Sequence, residues 1–241
     1  MDSRGIDVVV LCGGLGKRLK SVLPHHLPKS MVDINKRPFL DILVDSVAKF
    51  GFRRFILCIG YKANIIREHF QNNRELLFVF SEEKELLGTG GALKNCESLL
   101  ESNVLLVLNG DTFCPLDMSS FLNFHMKRGG IASIVISQVN NRMDGGFIQV
   151  NKNDRIISFN EKRSVTQAAY LNAGIYMLER KVLSFIPSGR PCSLEYETFP
   201  LLLEKEIYGY LTHETIYDIG TPERLDVFRR YELSHSVKEV N

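Results

Sequence analysis

The sequence predicts an α/β fold, a mixed and mostly parallel sheet flanked by helices, with a small antiparallel half. In its first half, short apolar runs alternate with segments of helical spacing, the pattern of parallel strands joined by helical crossovers. The first run, Ile6 to Leu11, breaks abruptly into Gly13, Gly14 and Gly16, as a buried strand does on entering a turn. Beyond about residue 113 hairpin signals appear and the rhythm changes, so antiparallel pieces are expected on the α/β core.

The elements follow in order. Pro38 to Phe50 carries apolar residues at 39, 40, 43, 44, 47 and 50, one face of a helix, with Pro38 in its first turn and Gly51 just past its end. Arg53–Ile59 and Leu76–Phe80 are strands on either side of a short helix, Asn64–Phe70. Thr89 stands where it can cap a helix running to Glu101, and Asn103–Leu108 is a fourth apolar strand. Asp117–Arg128 reads as a helix stopped by Gly129 and Gly130, ahead of a strand over Ile131–Val139. Gly146–Val150 and Arg155–Phe159 flank Asn151-Lys152-Asn153-Asp154, a hairpin turn. Tyr170–Leu178 and Ile207–Thr212 are further strands, with helices around Lys181–Ile186 and Leu194–Glu204. Thr221-Pro222 opens the last helix, to about Ser234. With no internal repeat or linker, a single domain is expected over 1–241, its halves meeting near residue 112.

Composition narrows the function classes. The 241 residues are 44% hydrophobic and 24% charged, ordinary for a globular protein with a sizeable core. A net charge of +2, from 30 basic and 28 acidic residues spread along the chain, leaves no basic stripe; neither nucleic acid nor a membrane is an expected partner. Cys12, Cys58, Cys96, Cys114 and Cys192 never form Cys-x-x-Cys, so they read as reduced thiols, and the histidines lack metal-ligand spacing. No apolar leader or membrane-length run is present, and a cytoplasmic location is expected.

The chemistry concentrates between Leu11 and Met31. Glycine turns bring backbone N–H groups against an anion, and Arg18 and Lys29 add fixed positive charge, a combination suited to a polyphosphate. It is not a P-loop, which needs glycine at Leu11 and Ser or Thr at Arg18. Nor is it the dinucleotide fingerprint, which needs glycine at Leu19. Further on, Leu87-Gly88-Thr89-Gly90-Gly91-Ala92 is a second glycine cluster at a helix start. Asn109-Gly110-Asp111 ends an apolar strand with a carboxylate, at the edge of the sheet where α/β proteins bind ligands.

Gly13-Gly14-x-Gly16-x-Arg18-Leu19 followed by Pro28-Lys29-x-Met31 resembles the signature of the sugar-1-phosphate nucleotidyltransferases. The resemblance runs from Val8 to about Glu223 and implies a Rossmann-like sheet of the nucleotide-diphospho-sugar transferase type, with nucleotide-binding and sugar-binding halves. It implies catalytic roles for Arg18 and Lys29, and nucleotide contacts from Leu11, Gly13, Gly14, Gly16, Gly88 and Thr89. Asp111 and Asp218 match the family's metal carboxylates, which implies Mg²⁺ as cofactor. Gly146, Glu161, Lys162 and Asn172 match its sugar-phosphate residues, although Arg163 stands where a proline usually follows the Glu-Lys pair. Cys12 replaces a common alanine and reads as small packing.

Among shorter members the chain resembles the D-glycero-α-D-manno-heptose 1-phosphate guanylyltransferases, which implies GTP and heptose 1-phosphate as substrates and GDP-heptose for surface polysaccharide as product. Another sugar phosphate (mannose or N-acetylmuramate 1-phosphate), another base, or a non-catalytic nucleotide-sugar sensor are the alternatives. Ser81-Glu82-Glu83-Lys84-Glu85 precedes the second glycine cluster, and a carboxylate there could accept both donors of guanine. Spacing from Gly88 favours Glu85, then Glu82.

Overall fold

The protein is described by a computed structural model, covering residues 3–19, 22–24, 27–138, 147–160 and 169–236. The first half holds β1 (Asp7–Leu11), β2 (Asp33–Ile34), β3 (Arg37–Pro38), α1 (Phe39–Ala48), β4 (Arg54–Ile59), α2 (Ala63–Phe70), β5 (Leu77–Glu82), α3 (Gly88–Asn95) and β6 (Val104–Asn109). The second holds β7 (Thr112–Phe113), α4 (Met118–Arg128), β8 (Ala132–Gln138), β9 (Phe147–Val150), β10 (Ile156–Asn160), β11 (Tyr170–Glu179), α5 (Phe199–Leu201), β12 (Ile207–Thr212), β13 (Tyr217–Asp218) and α6 (Pro222–Ser236).

The described residues form a nine-stranded sheet. Its parallel part runs β5-β4-β1-β6, so chain order reverses between β1 and β6. At such a reversal successive crossovers leave on opposite faces, opening a crevice beyond the carboxyl ends of the two strands. Packing bears this out. Val8 and Val10 of β1 join α1, α2, α4 and α6 in one core, while Val9 joins α3 in the other. The strand's two-residue period thus serves both layers. The antiparallel part attaches through β11, which pairs with β6, β8 and β9, while β12 lies parallel to β8.

Local chemistry explains the boundaries. Asp117 caps α4 by accepting from the N–H of Ser119 and Ser120, and Gly129, at φ 67°, closes it. Two expected helices are replaced. Arg180–Phe185 is a 3₁₀ turn, and Leu194–Thr198 is a π turn that leads into the short α5. Pro200 at the start of α5 has no N–H to extend the preceding ladder. The helix expected from Thr89 to Glu101 stops at Asn95, and Thr89 does not cap it: its cap residue is Leu87, with no side-chain bond.

One buried ion pair ties the sheet together. Asp7 is 2% exposed and accepts from Arg54 Nη1 at 2.6 Å and from the N–H of Glu101 and Ser102 at 2.6 and 2.9 Å. Burial alone pushes its pKa up, but these donors outweigh burial and hold it below the ordinary 3.8. Asp7 therefore contributes stability above pH 3.8, lost as pH falls through the lower folded-state value. Asp7→Ala removes the buried partner of Arg54, which keeps only the exposed Glu101 carboxylate and the Leu99 carbonyl, and is expected to cost about 2–3 kcal/mol in urea unfolding at pH 7, with a shrinking difference from wild type at acid pH.

Candidate active site

The crevice at the β1/β6 reversal holds two adjoining cavities. One, of about 230 Å³, is lined by Cys12, Gly14, Gly16, Lys17, Arg18, Lys29, Ser30, Gly110, Asp111 and Gly220, with Leu11. The other, of about 340 Å³, is lined by Gly13, Leu15, Glu83, Leu86, Gly88, Thr89, Ala92 and Asn109. Leu11, Gly14 and Asp111 border both, so the two form one cleft with a cationic end and a more apolar end.

Glycine makes the cleft possible at two points. Gly16 has φ 58°, and a Cβ there would stand 2.9 Å from the Lys29 Cβ. A Cβ on Gly13 would overlap the Glu83 carboxylate. Opposite the loop, Lys29 Nζ donates to Asp111 Oδ2 at 2.5 Å, with the lysine 12% and the aspartate 42% exposed. Two-residue strands β7 and β13 then bring in the last carboxylate. Asp218 pairs with Thr112, and Ile219 N donates to Asp111 O at 3.0 Å. Asp218 Oδ1 accepts from Gly220 N at 2.9 Å and Arg224 Nη1 at 3.2 Å. A Cβ on Gly220 would lie 3.7 Å from both Arg18 Nη2 and Lys29 Nζ, so both cations converge on this turn. The arrangement can hold a polyanion between two cations and two carboxylates.

Residues 7–232 match the nucleotidyl transferase family model. The chain belongs to that family. The transferase is 34% identical to D-glycero-alpha-D-manno-heptose 1-phosphate guanylyltransferase of Campylobacter jejuni over 221 residues, 90% of this chain and 96% of that one. It is 33% identical to mannose-1-phosphate guanylyltransferase of Mycobacterium tuberculosis over 228 residues, 92% of this chain but only 63% of that protein's length. Its fold superposes on the crystal structure of HddC from Yersinia pseudotuberculosis with a TM-score of 0.81 at 33% identity, covering 94% of this chain and 99% of that one. It likewise superposes on HddC complexed with GMP-PN, at a TM-score of 0.79 and 34% identity, covering 92% and 97%.

The transferase brings together most of the residues its sequence singles out. Leu11, Gly13, Gly14, Gly88 and Thr89 border the apolar end; Gly16, Arg18, Lys29 and Asp111 the cationic end; Asp218 stands beside them. Asn172 lines neither cavity; it reaches the site through Tyr176, whose hydroxyl accepts from its Nδ2 at 3.1 Å. Gly146, Glu161 and Lys162 lie outside the described residues. Cys12 is 5% exposed, and burial, aided by the Glu83 charge, pushes its thiol up to about 12, so it carries no thiolate at neutral pH.

The acidic stretch needs a correction. Glu85 is exposed and faces a separate groove with Lys84 and Lys94, and Glu82 pairs with Arg67 at 2.5 Å. Glu83, between them, lines the apolar end and accepts from Leu87 N at 3.0 Å. The signal was period two. Glu83 N continues the ladder by donating to Ile59 O at 2.9 Å, so its side chain follows buried Ser81 and not Glu82. Glu195 and Arg224 are likewise site neighbours with no motif to announce them.

The donor set fits a hard divalent cation. Asp111 and Asp218 are oxygen donors that could hold such a cation, with phosphate oxygens and water filling its other positions; among the described residues no three His, Cys, Asp or Glu side chains gather. Asp111→Asn is expected to keep the thermal midpoint near wild type and to lower turnover by two or more decades, about 3 kcal/mol of lost charge stabilisation. Steady-state kinetics with excess metal check it, and near-normal turnover would remove Asp111 from the reacting centre.

Proposed function

We propose that the transferase moves a guanylyl group from GTP to a sugar 1-phosphate, releasing pyrophosphate, with D-glycero-α-D-manno-heptose 1-phosphate as the acceptor. The observation that carries the base assignment is Glu83, a half-buried carboxylate at the apolar end of a cleft whose other end is cationic. Guanine offers a ring N–H and an exocyclic amine side by side, which one carboxylate accepts together. Adenine lacks that paired edge, and uracil sets a single N–H between two carbonyls. The acceptor reading is supported by the C. jejuni relative, matched over 96% of its length. Mannose 1-phosphate is the second reading, favoured by the M. tuberculosis relative.

In this reaction a sugar-phosphate oxygen attacks the α-phosphorus in line, forming the new P–O bond as the bond to the bridging oxygen of pyrophosphate breaks and its electron pair leaves with that group. Arg18 and Lys29 hold the departing charge, and Gly13, Gly14 and Gly16 let the chain approach the phosphates closely. The phosphate monoester has its second pKa near ~6, so the nucleophile is ionised at neutral pH and the chain supplies no general base. Mg²⁺ held by Asp111 and Asp218 would further offset charge on the phosphates. Lys162 is assigned to the sugar phosphate. The product would be GDP-heptose for surface polysaccharide, made in the cytoplasm.

The test is pyrophosphate release from GTP, ATP and UTP with heptose, mannose and N-acetylmuramate 1-phosphates. GTP with the heptose is expected to rank first; mannose ranking first selects the second reading, and no release with any pair rejects both. Glu83→Gln should reduce the preference for GTP roughly ten- to hundredfold, whereas Glu85→Ala keeps the wild-type ranking. Burial, only partly offset by the Leu87 N–H, raises the Glu83 pKa above the ordinary 4.5. GTP preference should therefore fall as pH drops through that raised value, and this loss should be absent in Glu83→Gln. Arg18→Ala should chiefly lower kcat and Lys162→Ala chiefly raise the KM for the sugar phosphate; one shared signature would contradict separate roles.

A further inference from the structure

The segment from Arg190 to Thr198 belongs to the second half of the chain, yet it is clamped onto the nucleotide end of the cleft. Gly90 and Gly91 at the start of α3 both donate their N–H to Cys192 O, at 2.9 and 3.1 Å, and Cys192 N returns a bond to Leu87 O at 2.8 Å. The contact is close enough that a Cβ on Gly91 would stand 3.0 Å from Arg190 O. The chain then enters its π turn, a conformation found mostly where function demands an irregular side-chain placement, and Glu195 points back into the molecule.

Glu195 accepts three hydroxyls. Oε2 receives Thr89 Oγ1 at 2.6 Å and Ser193 Oγ at 2.8 Å, and Oε1 receives Tyr176 OH at 3.0 Å. All three hydroxyls donate to the carboxylate, and the directions of the bonds beyond them follow. Thr89 Oγ1, having given its hydrogen, accepts Leu194 N at 2.9 Å. The Tyr176 oxygen accepts Asn172 Nδ2, and Asn172 Oδ1 takes Gly174 N at 2.8 Å, which leaves one orientation for that amide. Burial, and then the Glu195 charge, push the Tyr176 phenol well above its ordinary range, so its proton stays in place.

We propose that Glu195 is a positioning residue for both substrates: it sets the Thr89 hydroxyl and the glycine turn at the nucleotide end and, through Tyr176, the amide of Asn172, which the sequence resemblance assigns to the sugar phosphate. The proposal rests on the reading of the cleft as a site for a nucleotide and a sugar phosphate. Its two arms diverge at Glu195 and can be cut separately. A glutamine there offers an N–H where one of the hydroxyls also donates, whereas Tyr176→Phe removes the arm to Asn172, together with the Tyr176–Asn109 side-chain bond, and leaves the Thr89 bond in place.

Two quantities decide it: the Kd of a non-hydrolysable GTP analogue measured by calorimetry without sugar, and the KM of the sugar 1-phosphate in pyrophosphate release. Glu195→Gln is expected to weaken the analogue about tenfold and to raise the sugar KM about tenfold. Tyr176→Phe is expected to raise the sugar KM about tenfold and leave the analogue's Kd within about twofold. A merely structural role would lower the thermal midpoint without this split. Glu195→Gln constants both within about twofold of wild type, or a Tyr176→Phe Kd weakened as much as that of Glu195→Gln, would overturn the proposal. If Glu195→Gln fails to fold, Thr89→Val takes its place, with the analogue weakened and the sugar KM kept; the same constants moving in Thr89→Val and Tyr176→Phe overturns it. Should wild type release no pyrophosphate, nucleotidyl transfer fails, while the calorimetric arm still decides whether Glu195 orders the nucleotide end.

Discussion

The site depends on how closely two backbones approach at the carboxyl edge of the sheet. Gly110 N donates to Leu11 O at 2.9 Å, and a Cβ on Gly110 would lie 2.8 Å from that oxygen and 2.7 Å from the Cys12 Cβ. That contact is the last rung between β1 and β6, where strand order reverses. It sets Asp111 beside the glycine loop, and Asp111 O in turn fixes Ile219 and the turn at Gly220. A residue larger than glycine at position 110 would push the Asp111 carboxylate away from the cationic end.

Charge in the cleft is balanced internally. Lys29 sits on Asp111 and Arg224 on Asp218, so each carboxylate keeps a cation of its own chain within 3.2 Å. Carboxylates so paired are held oriented at the cationic end of the cleft. Glu83 is held differently, by burial against the Gly13 and Gly60 backbone and by one backbone bond.

The two halves share one sheet. The antiparallel half continues the parallel sheet through β11, and the Cys192 segment reaches across to the first residues of α3. Thr89 illustrates the consequence: at a helix start its hydroxyl would ordinarily cap, yet here a long-range carboxylate takes it.

What the sequence determined by itself was whatever rests on local pattern. Continuous apolar runs and period 3.6 marked the four strands of the first half and most helices, and glycine spacing with Arg18 and Lys29 marked the cationic end of the cleft, because these features need only near neighbours along the chain. Pairings at long sequence separation were decided by the tertiary structure. Thr112–Phe113 and Tyr217–Asp218 are too short to carry a periodic signal, yet their pairing is what joins Asp111 to Asp218. Which of three neighbouring glutamates faces the pocket depended on how far β5 keeps its ladder with β4, a property of the partner strand as much as of its own residues. Glu195 had no local mark at all: its carboxylate becomes a hub only when folding brings the Thr89 and Tyr176 hydroxyls to it beside that of neighbouring Ser193.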